Sequence, residues 1–536
     1  MISIAIICAL LFALVLGIRT LLRRVFSVLD NIPGPPRKSL LTGNLTQYYD
    51  PDGWTFQREL EENYGQVVKL HGLFGDRQLY VFDPVALHSI LVKDQDLYEE
   101  MPDHMSMNSL LFGTSIGSTI RDEHRRFRKI MIPAFSTASL RPMVPMFFEV
   151  AEKARDGLIA PSVRAGPQTV DLLPVLGRLS LELIGRTGIG SSLDSMEPGG
   201  APTNRYAQAL RELYPTAYKL SLFKPFLPLI VKMPFPSFRR FMINLIPLTA
   251  LHRLRELVDI TDAEATQLVA DRKAAIQSGE LYAKEDAKDI MSLLIKSNTS
   301  SEDAMHLTDE ELVASTSIIM FAATDTTSSA LNRLFHILAL HPEVQDKLRA
   351  EILAAPEHLD HDALVALPYL DSFVREVLRL FSPVTPGAFR QAYEDTVLPL
   401  STPIVGVDGT PMEAIRVPKG TPIYIAIAAV NHSKQIWGPD ALEFKPERWT
   451  RGKAEGATTK TCGIYGNTMT FIGGGRSCIG FKFSQLEMKA VLCVFLRAFT
   501  FSAPDEGIKW RMIGMLQAPS VDGRSQLPIR VERRKV

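Results

Sequence analysis

The chain has 536 residues, of which 46% are hydrophobic, 22% charged and 8% aromatic, fractions of a globular protein rather than of a disordered or multi-span one. Lys plus Arg and Asp plus Glu each total 59, so the formal net charge is zero and the basic excess of a nucleic-acid binder is absent. Four cysteines in a chain this long exclude a disulfide framework.

From Ile2 to Ile18 the only clearly polar side chain is Ser3, and Arg19, Arg23 and Arg24 follow. As a helix this run spans roughly 25 Å, and Leu21, Leu22 and snorkelling arginines extend it. A cleaved signal peptide is the competing reading, but no basic region precedes the run and no small-x-small site follows it. The expectation is a retained single-pass anchor over residues 1–24, in the endoplasmic reticulum membrane, with the rest of the chain on the cytoplasmic side. Residues 25–36, containing Pro33-Gly34-Pro35-Pro36, then read as a stiff proline-rich linker. Residues 37–536 follow as one large domain.

Val67–Leu70 and Leu79–Phe82 flank Gly72, Gly75 and Asp76 and predict a hairpin. Helical texture dominates from there to about Phe381. Gly113-Thr114-Ser115-Ile116-Gly117 fits the G-x-S-x-G of a hydrolase elbow, which needs a strand before the serine. Met101–Phe112 is no convincing strand, so a serine hydrolase using Ser115 stands only as the alternative. Phe223, Phe226, Phe235, Phe238 and Phe241 alternate with prolines and with Lys224, Lys232, Arg239 and Arg240. That stretch, to Leu248, is either a buried helix pair or a surface element dipping into a bilayer. Thr308 and Glu311 form a capping box that predicts a helix of about 32 residues ending near His341-Pro342. A second helix is predicted from Tyr369 to Phe381, and a strand over Thr421–Ala428.

Zinc-type spacing, H-E-x-x-H and phosphate-binding glycine loops are all missing from the sequence, so any redox chemistry takes its electrons from a partner. The strongest signal is Phe471, Gly474, Arg476, Cys478 and Gly480, in the pattern F-x-x-G-x-R-x-C-x-G. Its chance occurrence is on the order of one in ten thousand at average residue frequencies. A cysteine in a glycine-rich loop approaches a flat ligand closely, Arg476 meets an anionic group, and Gly480 lets the next helix start against a cofactor face.

With that loop the chain resembles the cytochrome P450 family of heme-thiolate monooxygenases, over roughly residues 33–520. Glu376-Val377-Leu378-Arg379 matches the family's E-x-x-R helix and Pro446-Glu447-Arg448-Trp449 its P-E-R-[FW] segment. The resemblance implies that Glu376, Arg379 and Arg448 form a buried ion network. E-x-x-R alone is weak, since Glu123–Arg126, Glu152–Arg155 and Glu413–Arg416 match it too. Ala322-Ala323-Thr324-Asp325-Thr326-Thr327 resembles the centre of the family's long helix, in which Asp325 and Thr326 would steer protons to dioxygen. Ala323 stands where glycine is usual. His124 and Arg128 resemble the W-x-x-x-R helix, with His124 in place of the tryptophan, and imply propionate contacts that Arg390 joins. The implied fold is mainly α with a small β part, a single large heme domain behind an N-terminal transmembrane helix.

The implied cofactor is heme b on the Cys478 thiolate, which favours O–O cleavage. The implied partners are O2, an NADPH-dependent cytochrome reductase in the membrane, and a lipophilic substrate to be hydroxylated or epoxidised. Apart from the basic residues of the Phe223–Phe241 stretch, the regions matching the family's ligand contacts carry no obvious charge. A terpenoid, sterol or other secondary metabolite fits them best, and the texture resembles fungal members acting on such compounds. A heme-binding sensor without turnover also fits the loop, but leaves Asp325 and Thr326 unexplained.

Overall fold

A computed structural model describes residues 27–198, 204–233, 235–278, 288–300, 306–386, 388–449, 460–503 and 507–534. The segment 1–24, expected as an anchor, lies outside them. Among the described residues no helix is long and apolar enough to cross a membrane.

The molecule is mainly helical, with five small sheets among the described residues. Strands β1 (Val67–His71) and β2 (Arg77–Val81) form the expected hairpin, with Val67 opposite Val81. β3 (Tyr98–Glu99), β4 (Phe389–Ala392) and β5 (Pro422–Ile425) complete a five-stranded sheet in the order β1-β2-β5-β4-β3. β5 runs parallel to β2, and β4 is antiparallel to both β5 and β3. The strand expected over Thr421–Ala428 ends at Ile425, because a helix begins at Ile427 and the Ala426 N–H closes onto the Val81 carbonyl. Leu70, Leu79, Ile423 and Trp437 bury themselves in the core beneath this sheet.

From Ser27 onward the expected linker is packed rather than free. Ser27 caps a short 3-10 turn, Leu29 and Ile32 enter the sheet core, and the Lys69 N–H donates to the Pro33 carbonyl at 2.9 Å. The apolar pair supplies the reason, since a detached spacer would leave both in water.

The helices that build the site are α1 (Pro102–Phe112), α2 (Arg121–Met131), α3 (Leu172–Ile184), α4 (Arg205–Tyr218), α5 (Thr249–Gln277), α6 (Asp309–Leu340), α7 (Pro368–Leu380) and α8 (Phe481–Ala498). α6 has 32 residues and crosses the domain, about 48 Å. Its capping box is complete: the Glu311 N–H donates to Thr308 Oγ1 at 3.2 Å, and the Thr308 N–H to Glu311 Oε2 at 2.9 Å. Asp309, Glu310 and Glu311 complement the helix dipole there, and Pro342 follows its end. α3, α5, α7 and α8 pack on α6 around the main core.

Between Ser221 and Leu245 three short helical segments leave Phe223, Phe226, Phe235, Phe238 and Phe241 about half or more exposed. The buried helix pair is thereby excluded, and the stretch is a surface element.

Candidate functional site

Cys478 follows a tight loop entered from a strand, Thr468–Gly473. Its N–H donates to the Phe471 carbonyl at 2.9 Å. The Phe471 ring packs edge-on against Tyr465, with centroids 5.6 Å apart, and tilts against Phe481. Gly474 has φ 72°, and a Cβ there would lie 1.7 Å from the Leu91 carbonyl oxygen, so no other residue fits the turn. Gly480 differs. Its φ is ordinary, at −87°, and the nearest heavy atom to a Cβ would be Phe135 Cε1 at 3.9 Å. The protein itself leaves that space open, as a cradle for a flat cofactor requires.

The Cys478 residue is accessible at its surface although protein surrounds it. Burial pushes its thiol pKa up, while the Gly480 N–H and the Arg128 guanidinium pull it back toward the thiolate. On α6, Ala322 is exposed between the buried Met320 and Thr324. An accessible alanine in the middle of a core helix, and an accessible cysteine on a loop leading into a helix packed on it, are surfaces that the polypeptide itself leaves uncovered.

Three guanidiniums gather around His124, beside the Cys478 loop. Arg128 on α2 donates to the Ser477 carbonyl at 2.7 Å and to Ser477 Oγ at 2.9 Å. Arg476 donates from Nε to Glu99 Oε2 at 2.9 Å and from Nη2 to the Thr119 carbonyl at 2.9 Å. Arg390 on β4 is buried and bonds Glu100 and the Phe389 carbonyl through Nη1. His124 is buried among them, and burial together with Arg476, Arg128 and Arg390 drives its pKa down to about 3. It stays neutral, with one ring N–H to donate. Three cations against two carboxylates leave a net positive edge, which suits the two propionates of a heme b.

On α6, Thr326 Oγ1 donates to the Ala322 carbonyl at 2.7 Å, the back-bond of a mid-helix threonine. Burial raises the Asp325 pKa from 3.8 to about 6, against the pull of Arg211 on α4. The two line one crevice with Leu181, Leu210 and Phe321. A carboxyl poised near neutrality can take up and release a proton within working pH. Behind the Cys478 loop, Glu376, Arg379 and Arg448 sit together, buried, joined by Trp449 Nε1 donating to Glu376 Oε2 at 2.9 Å.

The hydrolase alternative has no support in the geometry. Helix α1, not a strand, precedes Ser115, whose side chain is fully buried and whose Oγ makes no hydrogen bond among the described residues.

The cytochrome P450 family model matches residues 33–521. The chain belongs to the cytochrome P450 family. The chain is 43% identical to cytochrome P450 monooxygenase 91 of Postia placenta, over 98% of either chain. It is 44% identical to cytochrome P450 monooxygenase 81 of the same fungus, over 94% of this chain and 93% of that one. A ganoderic acid synthetase of Ganoderma lucidum is 38% identical over 94% of this chain and 93% of its own length. The chain is therefore an oxidoreductase of the monooxygenase type, and P450 proteins carry heme with a cysteine thiolate on the iron. When bound, that heme supplies the activation of dioxygen.

Sequence reasoning missed Arg211, Glu99 and Glu100. Each reaches the site from an element distant in the chain, and none belongs to a motif.

Proposed function

We propose that this P450 hydroxylates or epoxidises a lipophilic small molecule, a terpenoid, sterol or other secondary metabolite. In this reading Cys478 is the iron ligand, and His124, Arg128, Arg390 and Arg476 hold the propionates. Phe471, Gly474 and Gly480 shape the loop against the cofactor. Asp325 and Thr326 deliver protons, and Glu376, Arg379 and Arg448 brace the core.

The observation that carries the substrate reading is an aromatic cluster where α1, α4 and α6 meet. Tyr214 stacks on Phe321 with centroids 4.5 Å apart, and Phe112 lies 5.2 Å from Phe321. Tyr214 Oη donates to Asn108 Oδ1 at 2.6 Å, and Asn108 Nδ2 donates to the Gly117 carbonyl at 2.7 Å, so the polar groups of this wall satisfy one another. Such a wall rewards apolar area rather than charge. The ganoderic acid synthetase among the relatives supports a role in secondary metabolism.

Electrons come from NADPH through a membrane-bound cytochrome reductase. Exposed Lys129 on α2, whose Arg128 bonds Ser477, and exposed Lys482 at the start of α8 put positive charge beside the Cys478 loop. The 1–24 segment anchors the protein in the endoplasmic reticulum membrane with the catalytic domain facing the cytoplasm. The exposed phenylalanines between Phe223 and Phe241, with Lys232 and Arg240 beside them, form a second membrane contact.

The test is expression with a reductase and a screen of lipophilic metabolites for type I spectral shifts, followed by product analysis. An oxygenated product that requires NADPH is the expected outcome. Spectral shifts and turnover confined to charged hydrophilic compounds would overturn the substrate class.

A further inference from the structure

Two of the three arginines around His124 already face carboxylates, and the pairing follows from the sheet. β3 is antiparallel to β4 with Tyr98 opposite Ala392 and Glu99 opposite Gln391, a register that carries Glu100 to Arg390. Glu99 turns the other way and meets Arg476, whose Nη2 lies 2.7 Å from Glu99 Oε2. Glu99 Oε1 also accepts the Arg121 N–H at 2.9 Å, which ties the same carboxylate to the first residue of α2, the helix of His124 and Arg128. Both glutamates are well shielded, with side chains 6% and 16% exposed, so neither pair is a solvated surface ion pair.

The donors used matter more than the pairing itself. A guanidinium carries five N–H donors in a planar fork. Arg476 spends Nε and Nη2 on Glu99 and Thr119, and its Nη1 makes no hydrogen bond among the described residues. Arg390 spends Nη1 on Glu100 and Phe389, and its Nε and Nη2 make none among the described residues. Each carboxylate therefore grips one edge of a fork and leaves the rest to a second anion. The glutamates also offset the mutual repulsion of three guanidiniums, one buried and two partly buried, which would otherwise drive the fork ends apart.

We propose that Glu99 and Glu100 are positioning residues of the heme-propionate cradle, which hold Arg476 and Arg390 by one edge so that their remaining donors meet the propionates. They touch the arginines rather than the cofactor. The competing possibility is that they vie with the propionates for the same donors, and it makes the opposite forecast.

The test is the rate of heme transfer from holoprotein to apomyoglobin, with the propionate-bending bands of the resonance Raman spectrum, for E99Q, E100Q and the double variant. Loss of one charge-assisted pair is expected to speed transfer roughly tenfold in each single variant, and further in the double. The propionate bands shift while thermal melting of the polypeptide stays close to that of the unaltered protein. Glu99→Asp and Glu100→Asp, which keep the charge at shorter reach, give intermediate transfer and recover part of the band position. Transfer at the unaltered rate with unshifted bands would overturn the proposal, and slower transfer would show competition instead. Should a Gln variant yield no holoprotein, its Asp counterpart decides: intermediate transfer upholds the positioning role, and unaltered transfer overturns it.

Discussion

Arg379 lies edge to edge with Glu376 inside the core, Nε to Oε2 at 2.9 Å and Nη2 to Oε1 at 2.8 Å, with neither side chain exposed. Arg379 Nη1 then reaches the carbonyls of Asn431 and Ala441, at 2.7 and 2.6 Å. One guanidinium thus joins α7 to the segment that leads toward the Cys478 loop. Removing Glu376 leaves buried positive charge uncompensated, a loss of about 3–5 kcal/mol. Glu376→Ala is expected to abolish holoprotein, measured as the yield of the carbon-monoxide difference spectrum. Arg379→Lys is expected to fail almost as badly, because an ammonium cannot serve the bidentate pair and two carbonyls at once.

Asp325 gives a pH dependence of definite sign. Its folded pKa is raised from 3.8 to about 6 by burial. Below about pH 4 the folded and unfolded chains both carry the proton and no penalty exists. As pH rises from about 4 to about 6 the unfolded chain ionises first, so the folded state loses stability, to the extent of roughly 3 kcal/mol above pH 6. Asp325→Asn is expected to be more stable than the unaltered protein above pH 6 and no different near pH 4, in denaturant melts across that range. The same variant should turn over slowly, since the amide cannot pass on a proton.

Thr326 anchors its hydroxyl on the Ala322 carbonyl, so Thr326→Ala costs the helix little. The expected effect falls on coupling. NADPH consumption continues while product per NADPH drops by about tenfold, in the range of a lost proton-transfer group, and peroxide appears in its place. Retained tight coupling would remove Thr326 from the proton path.

The two loop glycines should separate cleanly. Gly474→Ala meets the Leu91 carbonyl in a left-handed backbone and is expected to prevent folding. Gly480→Val enters space that the polypeptide leaves open, so the apoprotein should melt normally and bind heme poorly. Equal heme content in Gly480→Val and the unaltered protein would show that this space is not the cofactor's.

Local signals carried much of the fold. The Thr308–Glu311 box placed the start of α6, and Pro342 its end, because capping and proline chemistry act within one turn. The E-x-x-R motif is a different case, since three other segments match it. What distinguishes Glu376–Arg379 is full burial and the partners Trp449 and Arg448, all long-range features that spacing does not encode. Exposure of the Phe223–Phe241 side chains was equally open in the sequence, because proline interrupts any periodicity there. Glu99 and Glu100 sit at a two-residue strand whose pairing with β4 depends on the whole sheet. Arg211 meets Asp325 only because α4 packs beside α6.

The central claim is that Cys478 binds the heme iron as a thiolate, and the most direct measurement is the absorption spectrum of the reduced, carbon-monoxide-bound protein and of Cys478→Ala. The unaltered protein is expected to show the long-wavelength Soret band of a thiolate-ligated heme, and the variant to lack it. An unchanged band in Cys478→Ala would contradict the assignment.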